Sequence, residues 1–157
     1  MVACLKDRAE LRLAGINAAA MATALDEASA WPAPDGRPRF DSCNLDAICF
    51  VPATQQAYAR RGFDHMELVT KELCAYLGKP LFDVLVRSGA RDQRALGRGD
   101  RVSNLSGTVR AADDVSGMKL LLVDDVVTTG ASMRESTRAL LARGAEEVTC
   151  CALSRVW

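Results

Sequence analysis

The stretch from residue 120 to 132, LLLVDDVVTTGAS, restricts the fold more than any other part of the chain. Leu120, Leu121, Leu122 and Val123 are apolar without alternation, the pattern of a strand buried on both faces. Such strands belong to parallel sheets, so the rest of the chain has to supply crossover helices. Asp124 and Asp125 come next, where the strand is expected to leave the sheet. That is the edge at which open α/β sheets hold ligands. Val126 and Val127 then lead into Thr128, Thr129 and Gly130. Gly130 permits a backbone conformation in which N–H groups converge on an anion. Ser132 is expected to open the next helix, whose first turn carries roughly half a positive charge. One edge thus offers carboxylates for hydroxyls and, a few residues on, N–H donors for a phosphate. That combination suits a sugar phosphate.

Receiver domains also contain a strand that ends in two aspartates. They need a further Asp and a Lys much later in the chain, and too few residues follow Asp125 for that.

The remaining elements fit one α/β domain spanning residues 1–157. Residues 6–30 are rich in Ala, Leu and Met and read as a helix with a stripe through Leu11, Ile16, Met21 and Leu25. Residues 31–44 hold Pro32, Pro34, Gly36 and Pro38 and read as a loop. Residues 45–51 are the first expected strand, and Pro52, Ala53, Thr54 and Gln55 form its exit. Asp64 with Glu67 predicts a capped helix over 64–77 that stops at Gly78. His65 reads as an exposed first-turn residue. Arg60 and Arg61, just before that helix, are candidate guanidinium clamps for an anion.

A second strand is expected over 81–86. Residues 87–101 carry Arg87, Arg91, Arg94, Arg98 and Arg101 among glycines, the composition of a mobile basic loop. No aromatic residue interleaves these arginines to stack bases. A short edge strand over 107–111 and a turn over 113–117 precede the central strand, 118–123. Ser132 with Glu135 predicts a second capped helix over 132–143, and 147–153 is the last strand. The units 45–86 and 118–153 are each strand–helix–strand, which requires right-handed crossovers and a parallel sheet.

Composition excludes several functions. Twenty basic residues balance twenty acidic ones, so net charge gives no argument for a nucleic-acid or membrane partner. The six cysteines include no C-x-x-C pair, and the chain has a single histidine, which disfavours a structural zinc site. With no secretory signal and no long apolar run, the expected setting is cytoplasmic with reduced thiols.

VDDVVTTGAS resembles the phosphoribosyl-pyrophosphate (PRPP) signature of type I phosphoribosyltransferases. Within that superfamily the chain resembles the ComF/GntX-type, competence-associated proteins. The wider match runs from about Lys6 onward and rests on Arg60-Arg61-Gly62-Phe63, Gln93 and Asp100-Arg101-Val102-Ser103-Asn104. This chain departs from the family pattern in three ways. Asp64-His65 replaces Asn-Gln, a second Pro after Pro52 is lost, and the cysteine-rich zinc ribbon usual ahead of residue 6 is not seen, either because this chain begins after it or because this branch lacks it.

The resemblance implies an open, mostly parallel sheet flanked by helices, with a mobile loop that closes over substrate. It implies transfer of 5-phosphoribose from PRPP to an acceptor, a nitrogenous base being the usual kind, with Mg²⁺ held mainly by substrate and water. Asp124 and Asp125 would hold the ribose hydroxyls. Val127, Thr128, Thr129, Gly130, Ala131 and Ser132 would bind the 5-phosphate. Pro52, Ala53, Thr54, Arg60 and Arg61 would meet pyrophosphate, and Arg91, Gln93, Arg94 and Arg101 would belong to the closing loop. Two alternatives stand beside transfer: a regulator that binds PRPP without turnover, and a competence accessory protein that docks single-stranded DNA or competence machinery. A homodimer is an open expectation, and the acceptor is not legible.

Overall fold

The computed structural model describes residues 13–87 and 109–156. Helix α1, Leu13–Ala30, is built largely of alanine, the best helix former. It buries Ala14, Ala18, Met21 and Leu25, a face of three- and four-residue spacing, while Ile16 is exposed. The expected stripe is therefore rotated. The small alanines let the helix lie close against its neighbours, and Ile16 is left on the outside.

Strand β1, Ala47–Phe50, is buried throughout. A helix that the sequence did not announce follows, α2, Gln55–Arg61. Thr54 caps it by accepting from Ala57 N at 3.1 Å. Helix α3, His65–Leu77, is capped by Asp64, whose Oδ1 accepts from Met66 N at 2.9 Å. Glu67 does not close a capping box. It turns outward to Lys71, at 2.6 Å.

The expected strand over 81–86 is split. Leu81 makes a single parallel bridge to Ile48. Val84 N then bonds back to Phe82 O at 3.0 Å, a tight local turn that redirects the chain. Strand β2, Leu85–Arg87, pairs instead with β3, Val109–Ala111, in an antiparallel two-stranded sheet. The expected basic loop between them lies outside the described residues.

Strand β4, Lys119–Val127, is the centre of a parallel sheet in the order β1–β4–β5, with β5 at Glu147–Arg155. Helix α4, Ala131–Ala142, crosses from β4 to β5. Its N-cap is Gly130, which makes no side-chain cap bond, so Ser132 lies inside the helix and the expected capping box does not form.

The apolar run of β4 is buried on both sides, as its lack of alternation requires. Leu121 and Val123 pack with Ile48, Phe50, α1 and α3. Leu120 and Leu122 pack with Val84, Val115 and the Met133–Leu140 face of α4. Odd positions of β4 thus face one helical layer and even positions the other. Among the described residues no helix is long and apolar enough to cross a membrane.

Candidate functional site

The ends of β1 and β4 are not level. β1 stays in register with β4 only as far as Phe50 opposite Val123. β4 runs on through Asp124 and Asp125 to Val127, still paired with β5 as far as Arg155. The two carboxylates therefore sit inside the strand rather than past its end. One flank of that strand is open where β1 has stopped, and this notch forms the site.

Adjacent strand residues face opposite sides, and the notch separates the two acids accordingly. Asp124 is half-buried and lines a small groove with Val126, Val127, Thr128, Thr129, Gly130, Ala131 and Ser132. The groove holds about 60 Å³, roughly the liquid volume of two waters and on the scale of one phosphoryl group. Asp124 Oδ1 accepts from Asp125 N at 2.8 Å. Asp125 is 5% exposed and points the other way, toward α3. Its Oδ1 accepts from Val126 N at 2.6 Å, and its Oδ2 lies 2.8 Å from His65 Nε2.

The loop itself is shaped by Gly130, at φ 71°, a left-handed conformation that side chains resist. Thr128, Thr129 and Ala131 are exposed, and Thr129 Oγ1 accepts from Ala131 N at 3.4 Å. Arg134, one helical turn later, folds back over Gly130. Its Nη1 would lie 3.2 Å from a side-chain carbon added there. Arg134 lies outside the motif residues expected to meet an anion. Its spacing of four from the loop glycine was the available signal.

The segment after β1 is tied into the same corner. Val51 N donates to Val123 O at 2.9 Å, and Ala53 N donates to Asp64 Oδ2 at 2.7 Å. Pro52 has no N–H to offer. The expected set of anion-binding N–H groups over 52–55 is thus reduced in this state, because Asp64 already holds one of them. Arg60 is exposed at the end of α2. Arg61 is half-buried, with Nε on Ala57 O at 3.2 Å and Nη1 on His65 Nδ1 at 2.9 Å. His65 itself is 5% exposed. The expectation of an exposed first-turn histidine is corrected: the notch gives its ring a carboxylate partner, and α3 enters the sheet edge at that point. Arg91, Gln93, Arg94 and Arg101 lie outside the described residues.

Among the described residues, no group of three or more His, Cys, Asp or Glu side chains is arranged to hold a metal. A wider hollow of about 360 Å³ opens at the opposite ends of the strands, bordered by Arg37, Arg39, Lys119 and Glu147. None of the described candidate site residues line it.

Known proteins resemble this chain in sequence and in fold. The phosphoribosyl transferase domain model matches residues 59–156. The chain is 34% identical over 112 residues to the DNA utilization protein YhgH of Escherichia coli K12, covering 70% of this chain and 49% of that protein. It is 30% identical over 115 residues to competence protein F of Haemophilus influenzae, covering 70% of this chain and 50% of that one. The chain spans about half the length of these curated relatives. Among solved structures, the glutamine PRPP amidotransferase of B. subtilis superposes with a TM-score of 0.56 at 20% identity, over 90% of this chain and 26% of that one. That similarity shows the fold: a type I phosphoribosyltransferase-like α/β architecture with a mostly parallel sheet.

Proposed function

This chain belongs to the phosphoribosyl transferase domain family, and on that footing we propose that it is a PRPP-binding domain serving DNA uptake or use. The names of its relatives, competence protein F and DNA utilization protein, support the second half of that reading. One observation carries the first half. Asp124 and the Thr128–Ser132 loop share a groove at the open flank of β4. In that groove the loop N–H groups and Arg134 take the 5-phosphate, and Asp124 accepts from a ribose hydroxyl. Arg60 and the turn at Pro52–Thr54 face the pyrophosphate. Mg²⁺, an ion that keeps much of its hydration, would be held mainly by PRPP and water. When bound, it neutralises charge on the leaving pyrophosphate.

A second reading extends the first to turnover. In phosphoribosyl transfer the ribose C1–O bond to pyrophosphate breaks, and pyrophosphate leaves with the electron pair. A ring nitrogen of a base forms the new C1–N bond and gives its proton to solvent. The protein's share is to hold both partners, balance charge and exclude water. Nothing in that list requires a protein nucleophile.

Calorimetric titration of PRPP with Mg²⁺ tests the first reading. Saturable binding is expected, weakened about tenfold or more in Asp124→Asn through loss of a charged acceptor. A folded wild type that takes up no PRPP overturns it. Pyrophosphate release in the presence of a panel of bases then separates turnover from binding alone.

A further inference from the structure

The line from the half-buried Arg61 through His65 to Asp125 has a definite direction. A guanidinium carries only N–H donors and keeps its charge, so Arg61 Nη1 donates to His65 Nδ1 across 2.9 Å. Nδ1 is then the ring's acceptor, and the ring's one proton sits on Nε2. That N–H donates to Asp125 Oδ2 across 2.8 Å. The side chains of His65 and Asp125 are 6% and 8% exposed, so water hardly competes for the bond between them. Asp64 Oδ1 stands 3.7 Å from Nδ1 and already accepts from Met66 N. The other oxygen of Asp125 accepts from Val126 N. Both oxygens of Asp125 are therefore directed inward, and Asp125 is fixed along β4 beside Asp124.

We infer that Arg61 and His65 are positioning residues for the candidate PRPP site: Arg61 fixes the Nε2–H tautomer of His65, and His65 fixes Asp125 and with it the Asp124 end of β4. This deepens the PRPP reading and rests on it for the ligand. It also divides the arginine pair. Arg60 is exposed, whereas Arg61 is held on Ala57 O and His65 Nδ1. The role needs one acceptor and one donor on a single flat group. A glutamine amide has both, with its oxygen for Arg61 and its nitrogen for Asp125, whereas leucine fills the space and offers neither.

His65 is the only histidine in the chain, so its ring nitrogens give unambiguous signals in a ¹⁵N-labelled sample. The apo protein at neutral pH should show the neutral Nε2–H ring, and Arg61→Ala should release that lock and move both nitrogen resonances. A wild-type ring that is cationic, or that carries its proton on Nδ1, overturns the inference whether or not PRPP binds. The second arm titrates PRPP with Mg²⁺ into the wild type, His65→Gln and His65→Leu. His65→Gln should keep wild-type affinity within a few-fold, and His65→Leu should lose about tenfold to a hundredfold, the usual cost of removing an orienting partner. Equal affinity of the two variants overturns the positioning role. A wild type that binds no PRPP counts against the parent reading, and the ring resonances still decide the fate of the line itself.

Discussion

Single side chains in this protein take their chemistry from the layer in which they sit. Burial, with Cys150 nearby, pushes the Cys49 thiol up to about 12. Burial, again with Cys150 nearby, pushes Cys151 up to about 11. Cys43 and Cys150 are exposed. Only the thiolate attacks an alkylating agent, so a raised value keeps a thiol inert until the pH climbs toward it. At about pH 8, iodoacetamide is expected to label Cys43 and Cys150 in the native protein. Cys49 and Cys151 should label only after unfolding, as peptide mass spectrometry would show. Early labelling of Cys49 would mean that the centre of the sheet opens far more readily than its packing implies. The same layering set the limit of reading the site from sequence. The motif located Asp124 and Asp125, and strand alternation alone puts them on opposite faces. The partner of the inward one was not legible. His65 is sixty residues away in the chain, and a histidine after a helix cap is usually solvated. Only the early end of β1 brings α3 near enough for the ring to meet Asp125.

Elements hold their places through a few backbone constraints rather than through propensity. Gly144 ends the turn after α4 at φ 90°, and a side-chain carbon added there would lie 2.7 Å from Ser116 Oγ and 3.1 Å from Ser116 Cα. The hydroxyl can rotate away, but the backbone carbon cannot. Its carbonyl also accepts from Gly117 N at 2.9 Å, which ties the α4–β5 turn to the entry of β4. Gly144→Ala should therefore cost about 2 kcal/mol, combining left-handed strain with a steric clash. Urea unfolding is the measurement, and a change below about 0.5 kcal/mol would show that the turn yields without loss. Glycine stops such as Gly78 and Gly144 were readable in the sequence because the residue type carries the conformation. Helix α2 was not, because a short run behind Thr54 has no apolar face of its own: none of its residues is buried. Helix α4 has its N-cap at Gly130 rather than Ser132 for a related reason. The loop glycine satisfies the geometry of entry, which leaves the serine with no capping work.

At the scale of the whole molecule, stability is centred on β4. Among the described residues it pairs with β1 on one side and β5 on the other, and it is covered on both faces by helices or by the small β2–β3 pair. Opening its hydrogen bonds exposes both apolar layers at once, so its amides should report global unfolding. Hydrogen exchange is expected to find Leu120–Val123 slowest, with β2 and β3 exchanging far sooner by local opening. Equal protection of β2 and β4 would show that the small sheet is part of one cooperative unit with the large one. The parallel sheet was legible because a doubly buried strand leaves few alternatives. The short edge strand expected over 107–111 is found as β3, but its antiparallel pairing with β2 was not legible, since a three-residue partner is shorter than any periodic signal. The uneven ends of β1 and β4 also bear on how the protein is made. The stretch of β4 that carries Asp124, Asp125 and the loop is steadied by β5, and β5 is translated after it. A ribosome therefore releases the motif before the strand that holds it in shape. For that interval the nascent chain has its motif without the geometry of the candidate site, and synthesis of β5 is the step that supplies that geometry.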